Sequence, residues 1–362
     1  MKRTPALINA VAVCSLLFSG AAAMAAAPAH HTYRSRHVVS SFDPAKYDSV
    51  EYDEPEIREL AISALGHERG SVVAVDPSNG RILTIVDQKM AFSSGFEPCS
   101  TIKPVIALAG LQEGAISRDT MIKVGRRRYM DLTEAMAHSN NKYFEEVGSQ
   151  LGFDTVHKYA SLVGLGERVG YNIPDEQPGL LPSKPPQFGG VARMSSFGEG
   201  IKITPFQLAA LISAFANGGT MYYLQYPRTD EEKQNFEPRI REQLDIGALL
   251  PDIRQGMAAA VLYGTAKRSY DPYGEQALGK TGTCNDENVG GRLGWFVSYA
   301  DLEHPKIVIV VLLHGGGRIT SGPHASEIAG RIYRGLYQRN YFADDRSRTS
   351  EYSTTAATGI TH

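Results

Sequence analysis

Pro98-Cys99-Ser100-Thr101-Ile102-Lys103-Pro104, followed without a break by the apolar run Val105 to Leu111, is the stretch on which the reading of this chain turns. Ser100 and Lys103 stand three apart, so a helix opening at Ser100 projects both side chains from one face of its first turn. A serine hydroxyl attacks at neutral pH only when a neighbouring base takes its proton, and an amine is that base only when burial or a second cation lowers its pKa. Each unit of such depression costs about 1.4 kcal/mol, so the site must be partly dry. Alone, so short a spacing favours an ordinary helix start, with the serine as cap and the lysine in water.

Two later segments decide between those readings. Ser139-Asn140-Asn141 supplies a Ser-x-Asn on sequence that is helical by periodicity from Leu132 to Leu151, and Lys280-Thr281-Gly282-Thr283 stands just before strand-like Gly294 to Tyr299. The ordered set S-x-x-K, S-x-N, K-T-G-T is the signature of penicillin-recognising serine acyl transferases. From about Gly70 to about Tyr337 the chain resembles the transpeptidase domain of penicillin-binding proteins. Further blocks carry the same resemblance. Thr204-Pro205-Phe206-Gln207 opens a helix with a threonine cap and proline at its first position, and Asn217-Gly218-Gly219 closes it.

Composition narrows the field independently. At 362 residues, 42% hydrophobic and 21% charged, the chain is globular and long enough for one large domain or two smaller ones. Its formal net charge of -2 argues against nucleic acid as a partner. The ten histidines are scattered without ligand spacing, so neither a metal nor another cofactor is expected. Lys2 and Arg3, the apolar Ala6 to Phe18, and Ala23-Met24-Ala25 read as an export signal with its cleavage site; the alternative is an uncleaved membrane anchor. Either way the remainder faces outward, in the periplasm or cell envelope.

The divisions expected are a signal or anchor over 1–27, a linker over 28–50, a catalytic domain over 51–342 and a disordered tail over 343–362. Tyr47 to Leu65 reads as a helix. Gly70 to Val86, apolar and β-branched around Asp76-Pro77-Ser78-Asn79-Gly80, reads as a hairpin, and Trp295 to Tyr299 and Ile307 to Leu313 as strands. Tyr222 to Asp245 reads as an irregular, charged surface insertion, Pro251 to Tyr263 as a helix, and Ser326 to Tyr337 as a final amphipathic helix. Strands at both ends with helices between predict an α/β (α+β) fold: an antiparallel sheet flanked by helices, with an inserted all-helical lobe and the site in the cleft between them. Arg126-Arg127-Arg128 reads as solvated surface, with attraction of an anionic wall polymer as the lesser alternative.

The resemblance implies roles. Ser100 would attack a carbonyl, Lys103 act as base, Ser139 relay a proton to the leaving amine and Asn141 hold both Lys103 and the substrate amide. Lys280 would add positive potential, and Thr281, Gly282 and Thr283 would line the binding strand, the threonines taking the donor peptide's terminal carboxylate. The backbone N–H groups of Ser100 and Thr283 would form the oxyanion hole. A peptidoglycan stem peptide is the implied substrate, β-lactams the implied covalent inhibitors, and cell-wall synthesis proteins the implied partners.

The rival from the same superfamily is a serine β-lactamase. Only Cys99 and Cys284 remain after export, and some carbapenem-hydrolysing β-lactamases similarly bridge the residue before the nucleophile to the second residue after K-T-G. The resemblance thus suggests a Cys99–Cys284 disulfide, with two buried free thiols as the alternative. Closing about 185 residues contributes roughly 5 kcal/mol in the loop-entropy account. Against the lactamase, Glu176 sits in a transpeptidase-like loop without the E-x-x-x-N pattern of a deacylating base. A non-catalytic β-lactam sensor is the rival from another class. Gly274 to Thr281 also satisfies the phosphate-loop pattern G-x-x-x-x-G-K-[ST], but Asn285 to Gly291 after it cannot start the helix such a loop needs.

Overall fold

The computed structural model describes Asp43, 45–286, 290–302, 304–317 and 319–343. The export signal or anchor, most of the linker and all but the first residue of the tail lie outside these residues.

Helix α1 (Pro55–Leu65) begins later than its acidic-apolar sequence suggests. Residues 45–54 form turns instead, because the Asp48 and Asp53 carboxylates both accept from the Arg58 guanidinium (2.9 and 2.8 Å) and hold that segment against the helix. The expected hairpin follows as β1 (Gly70–Val75) and β2 (Ile82–Val86), paired antiparallel from Val72↔Val86 to Val75↔Ile82. A short helix, α2 (Gln88–Ala91), leads to a 3-10 turn over Cys99–Ile102 that runs directly into α3 (Lys103–Gln112).

The helical lobe then begins with a small hairpin, β3 (Ile122–Lys123) and β4 (Tyr129–Met130), whose tip exposes Arg126, Arg127 and Arg128. Next come α4 (Leu132–Ala137), α5 (Asn141–Leu162), α6 (Gly190–Phe197) and α7 (Pro205–Asn217). Helix α7 carries the expected cap: Thr204 and Gln207 exchange side-chain and backbone hydrogen bonds in a capping box. The stretch expected to be irregular contains structure: β5 (Thr220–Tyr222) pairs with β6 (Ile240–Gln243) around α8 (Asp230–Gln234). Its sequence hides this because β6 is largely exposed and has no apolar alternation to read.

Helix α9 (Leu250–Leu262) precedes three long strands, β7 (Leu278–Asn285), β8 (Arg292–Ala300) and β9 (Ile307–Gly315), and α10 (Gly322–Gln338) closes the domain. The five-stranded sheet runs β2-β1-β9-β8-β7, antiparallel throughout, with β9 returning to lie beside β1. Alternate residues of its strands serve two cores. Val72, Phe296, Ile309 and Val311 pack with Ile57 and Leu65 of α1 and Ile328 and Ile332 of α10. Val73, Trp295, Val297 and Val310 face Val105, Leu108 and Leu211 on the lobe side. Burial on both faces is why β8 and β9 read as continuous apolar runs rather than alternating ones. The sheet therefore ends on its lobe-facing edge with β7, the strand that carries Lys280, Thr281, Gly282 and Thr283.

Candidate active site

Three segments meet at the β7 edge. The first is the 3-10 turn, in which side chains three apart are nearly eclipsed. This places Lys103 Nζ 2.7 Å from Ser100 Oγ. Lys103 is fully buried and Ser100 keeps only 8% exposure, since α3 is apolar on almost every side and sits inside the molecule.

The second segment corrects the sequence reading. Ser139 does not lie on a continuous Leu132–Leu151 helix but in a turn between α4 and α5, with φ 53°. Side-chain caps explain the break: Asp131 accepts from Glu134 N–H and starts α4, and Asn140 accepts from Tyr143 N–H and starts α5. The turn aims the Ser139 carbonyl and hydroxyl and the Asn141 side chain at one point. Lys103 Nζ reaches Ser139 O at 3.0 Å, Ser139 Oγ at 3.2 Å and Asn141 Oδ1 at 2.7 Å.

The third segment is β7. Lys280 Nζ donates to Ser139 Oγ and to Thr281 O, both at 2.8 Å, so the Ser139 hydroxyl sits between two amines. Gly282 lies against the Cys99–Ile102 turn so closely that a Cβ there would stand 3.0 Å from Pro98 O and 3.1 Å from Thr101 Cγ2. Thr281 and Thr283 are themselves held, the first at 2.6 Å from Thr265 Oγ1 and the second accepting the Gly322 N–H at 2.8 Å. As an edge strand, β7 leaves the backbone groups of its outer side free of sheet partners. Cys99 and Cys284 are joined by a disulfide.

Electrostatics follow from burial. Desolvation, then the charge of Lys280, pushes the Lys103 amine well below the usual lysine range, while Glu145 opposes the shift. Burial brings Lys280 down to about 7. With Asn141 Oδ1 and Ser139 O accepting its two remaining N–H bonds, a neutral Lys103 turns its lone pair to Ser100, the arrangement a general base requires. The chemistry available to this group of side chains is acyl transfer through a serine.

Other sequence features lie elsewhere or do other work. Glu176 is buried, with its carboxylate accepting from Val169 N–H (2.7 Å) and Gly170 N–H (2.8 Å), a use that fixes a loop. Leu278 to Thr281 of the phosphate-loop pattern lie on β7, which continues to Asn285, so the pattern opens no helix. Two contacts escaped the sequence reading. Thr265 supports Thr281, and Glu145, one helical turn after Asn141, accepts from Ser196 Oγ at 3.2 Å while acting on Lys103. The i, i+4 spacing of Asn141 and Glu145 was the signal available for the second.

Comparison with known proteins agrees with this geometry. Stage V sporulation protein D of Bacillus subtilis is 26% identical over 319 residues, covering 74% of this chain and 49% of that protein. The probable peptidoglycan D,D-transpeptidase PbpC of Pseudomonas aeruginosa is 25% identical over 325 residues, covering 77% of this chain and 56% of that protein. The chain thus spans about half the length of the curated relatives it matches. Among solved structures, Helicobacter pylori PBP2, in a complex with MreC, shares the fold with a TM-score of 0.67 at 20% identity, over 79% of this chain and 63% of that one. Residues 70–334 match the family described as the penicillin binding protein transpeptidase domain, and with its three motifs gathered at one sheet edge, the chain belongs to that family.

Proposed function

We propose that the protein is a D,D-transpeptidase that cross-links peptidoglycan stem peptides through an acyl-enzyme on Ser100. The observation that carries this reading is the unbroken chain of contacts from Ser100 through Lys103 to Ser139 and Lys280, each at 3.2 Å or less. Neutral Lys103 takes the Ser100 proton as Oγ bonds to the carbonyl carbon of the penultimate D-alanine. The Ser139 hydroxyl, between the two amines, passes a proton to the terminal D-alanine nitrogen as its C–N bond breaks. An amine of a second stem peptide then attacks the ester, giving up its proton along the same path and freeing Ser100; water in its place gives carboxypeptidase trimming.

Asn141 holds the donor's amide, and Thr281 and Thr283 receive its terminal carboxylate beside Lys280. The Ser100 and Thr283 N–H groups polarise the carbonyl, a contribution that typically amounts to a few kcal/mol. β-Lactams acylate the same serine. The same proposal includes export across the cytoplasmic membrane, since the substrate lies outside it, and assembly with other wall-synthesis proteins, as H. pylori PBP2 does with MreC. The commitment of Glu176 to two backbone N–H groups favours slow deacylation over β-lactamase turnover.

Intact-mass spectrometry with a penicillin tests the core of the reading. The expected result is one stable penicilloyl adduct on the wild type and none on Ser100→Ala. Rapid loss of the adduct with catalytic turnover would assign a β-lactamase instead. A D-alanyl-D-alanine peptide offered with an amine acceptor should give a cross-linked product; acylation by penicillin without any peptide turnover would leave a sensor.

A further inference from the structure

Cys99 is an unusual tenant of its position. Its φ of 50° lies in the left-handed region, which a residue with a Cβ rarely adopts and glycine adopts freely. Cys284 is equally specific in place: it follows Thr283 directly on β7, as Cys99 directly precedes Ser100. The bridge between them therefore joins the two residues that flank the N–H groups of Ser100 and Thr283. Among the described residues, side-chain hydrogen bonds reach from the turn to β7 indirectly, through Lys103, Ser139 and Lys280, and others anchor each side to a different element. Thr283 is tied to α10 through Gly322 N–H, and the approach to the nucleophile turn is tied to β8 through Trp295 Nε1–H donating to Glu97 O at 2.9 Å. The turn and β7 themselves pack closely, a Cβ on Gly282 standing 3.0 Å from Pro98 O and 3.1 Å from Thr101 Cγ2, and the bridge is the covalent link between them.

We infer that the Cys99–Cys284 disulfide is a positioning device for acylation, setting the separation of the Ser100 and Thr283 N–H groups that receive the oxyanion. The inference rests on the acyl-transfer reading given above. The Thr281 and Thr283 side chains are held by Thr265 Oγ1 and by the Gly322 N–H of α10 rather than by the bridge, so carboxylate capture should depend on the bridge less than the acylation step does. Opening the bridge takes two electrons and two protons and returns two thiols, and leaves Ser100, Lys103, Ser139 and Lys280 chemically unchanged. What it frees is the distance between two donors. Such donors act within a few tenths of an ångström, and a misplacement of about 1 Å costs about a hundredfold in rate.

The test compares the oxidised wild type, the same protein reduced with a phosphine, and Cys99→Ser/Cys284→Ser. For each form, stopped-flow acylation by a chromogenic cephalosporin yields the non-covalent dissociation constant and the acylation rate constant separately. A matched pair of ester and thionoester substrates adds a reading specific to the oxyanion donors, because sulfur replaces the oxygen they bind. The expected result is a fall of about ten- to a hundredfold in the acylation rate constant on reduction and in the double variant. The dissociation constant should stay within about threefold, the preference for ester over thionoester should shrink, and reoxidation of the wild type should restore all three. Equal rate constants in the oxidised and reduced forms would overturn the inference. So would a fall in rate with the ester preference intact, which marks general loosening of the fold. No acylation by the oxidised form would instead overturn the acyl-transfer reading, and with it any role for the bridge in that reaction.

Discussion

At the residue scale, the two buried lysines would set the pH window of the proposed acylation. Lys103 is depressed by burial and by the charge of Lys280, so in the proposed reaction it would serve as the neutral base while Lys280 remains charged. Above about pH 7 Lys280 discharges in turn, and acylation by a penicillin should fall along an alkaline limb near that pH. A rate constant still level from pH 7 to 9 would exclude a charged Lys280 from the rate-limiting step. Stability runs the other way. The unfolded chain holds the Lys280 proton up to about pH 10.4, whereas the folded chain releases it near 7. Stability relative to Lys280→Met should therefore rise with pH through that interval and stay flat below it. Glu145 acts on the other limb: its charge holds the Lys103 pKa up, so Glu145→Gln should move the acid limb of acylation to lower pH. A pH-rate profile of that variant superimposable on the wild type would show that the carboxylate does not reach Lys103.

At the scale of elements, the site is a meeting of one helix start, one interhelical turn and one strand edge, and α10 clamps the strand from behind. Gly322 is where the clamp closes. A Cβ there would lie 2.7 Å from Thr281 Cβ and 2.8 Å from Gly282 O, and its N–H is the one bonded to Thr283. Gly322→Ala should cost about 1 to 3 kcal/mol by overpacking. It should also weaken capture of a peptide carboxylate, read as a raised KM in a D-alanyl-D-alanine peptide assay. A variant with wild-type melting and wild-type KM would mean that the helix start yields without disturbing β7. The α4–α5 turn is the element least visible from sequence, because helical periodicity continues straight through Ser139 and only the competing Asp131 and Asn140 caps interrupt it.

At the scale of the whole molecule, the disulfide closes a loop of 185 residues between the lobe side and the last third of the chain. Chain entropy assigns such a closure about 5 kcal/mol. Reduction should lower the urea midpoint accordingly, and an unchanged midpoint would show that the unfolded chain is already compact between those residues. The sheet itself was legible: the apolar runs at 70–86, 294–299 and 307–313 are strands because both faces of the sheet are covered, one by α1 and α10 and the other by the lobe. The β5–β6 pair was not, since its exposed residues carry no hydrophobic period.

By itself the sequence determined the kinds of groups and their order: a serine and lysine three apart, a serine and asparagine two apart, a Lys-Thr-Gly-Thr strand, and cysteines beside the first and last of these. Local spacing is enough for that, because each motif lies within one turn or one strand. Only the tertiary structure decided that Ser139 sits in a left-handed turn between two lysines, that Thr265, Gly322 and Glu145 support the site from neighbouring elements, and that the cysteines meet. Those facts depend on contacts between residues up to 185 positions apart. Packing fixes such contacts, and no periodicity along the chain records them.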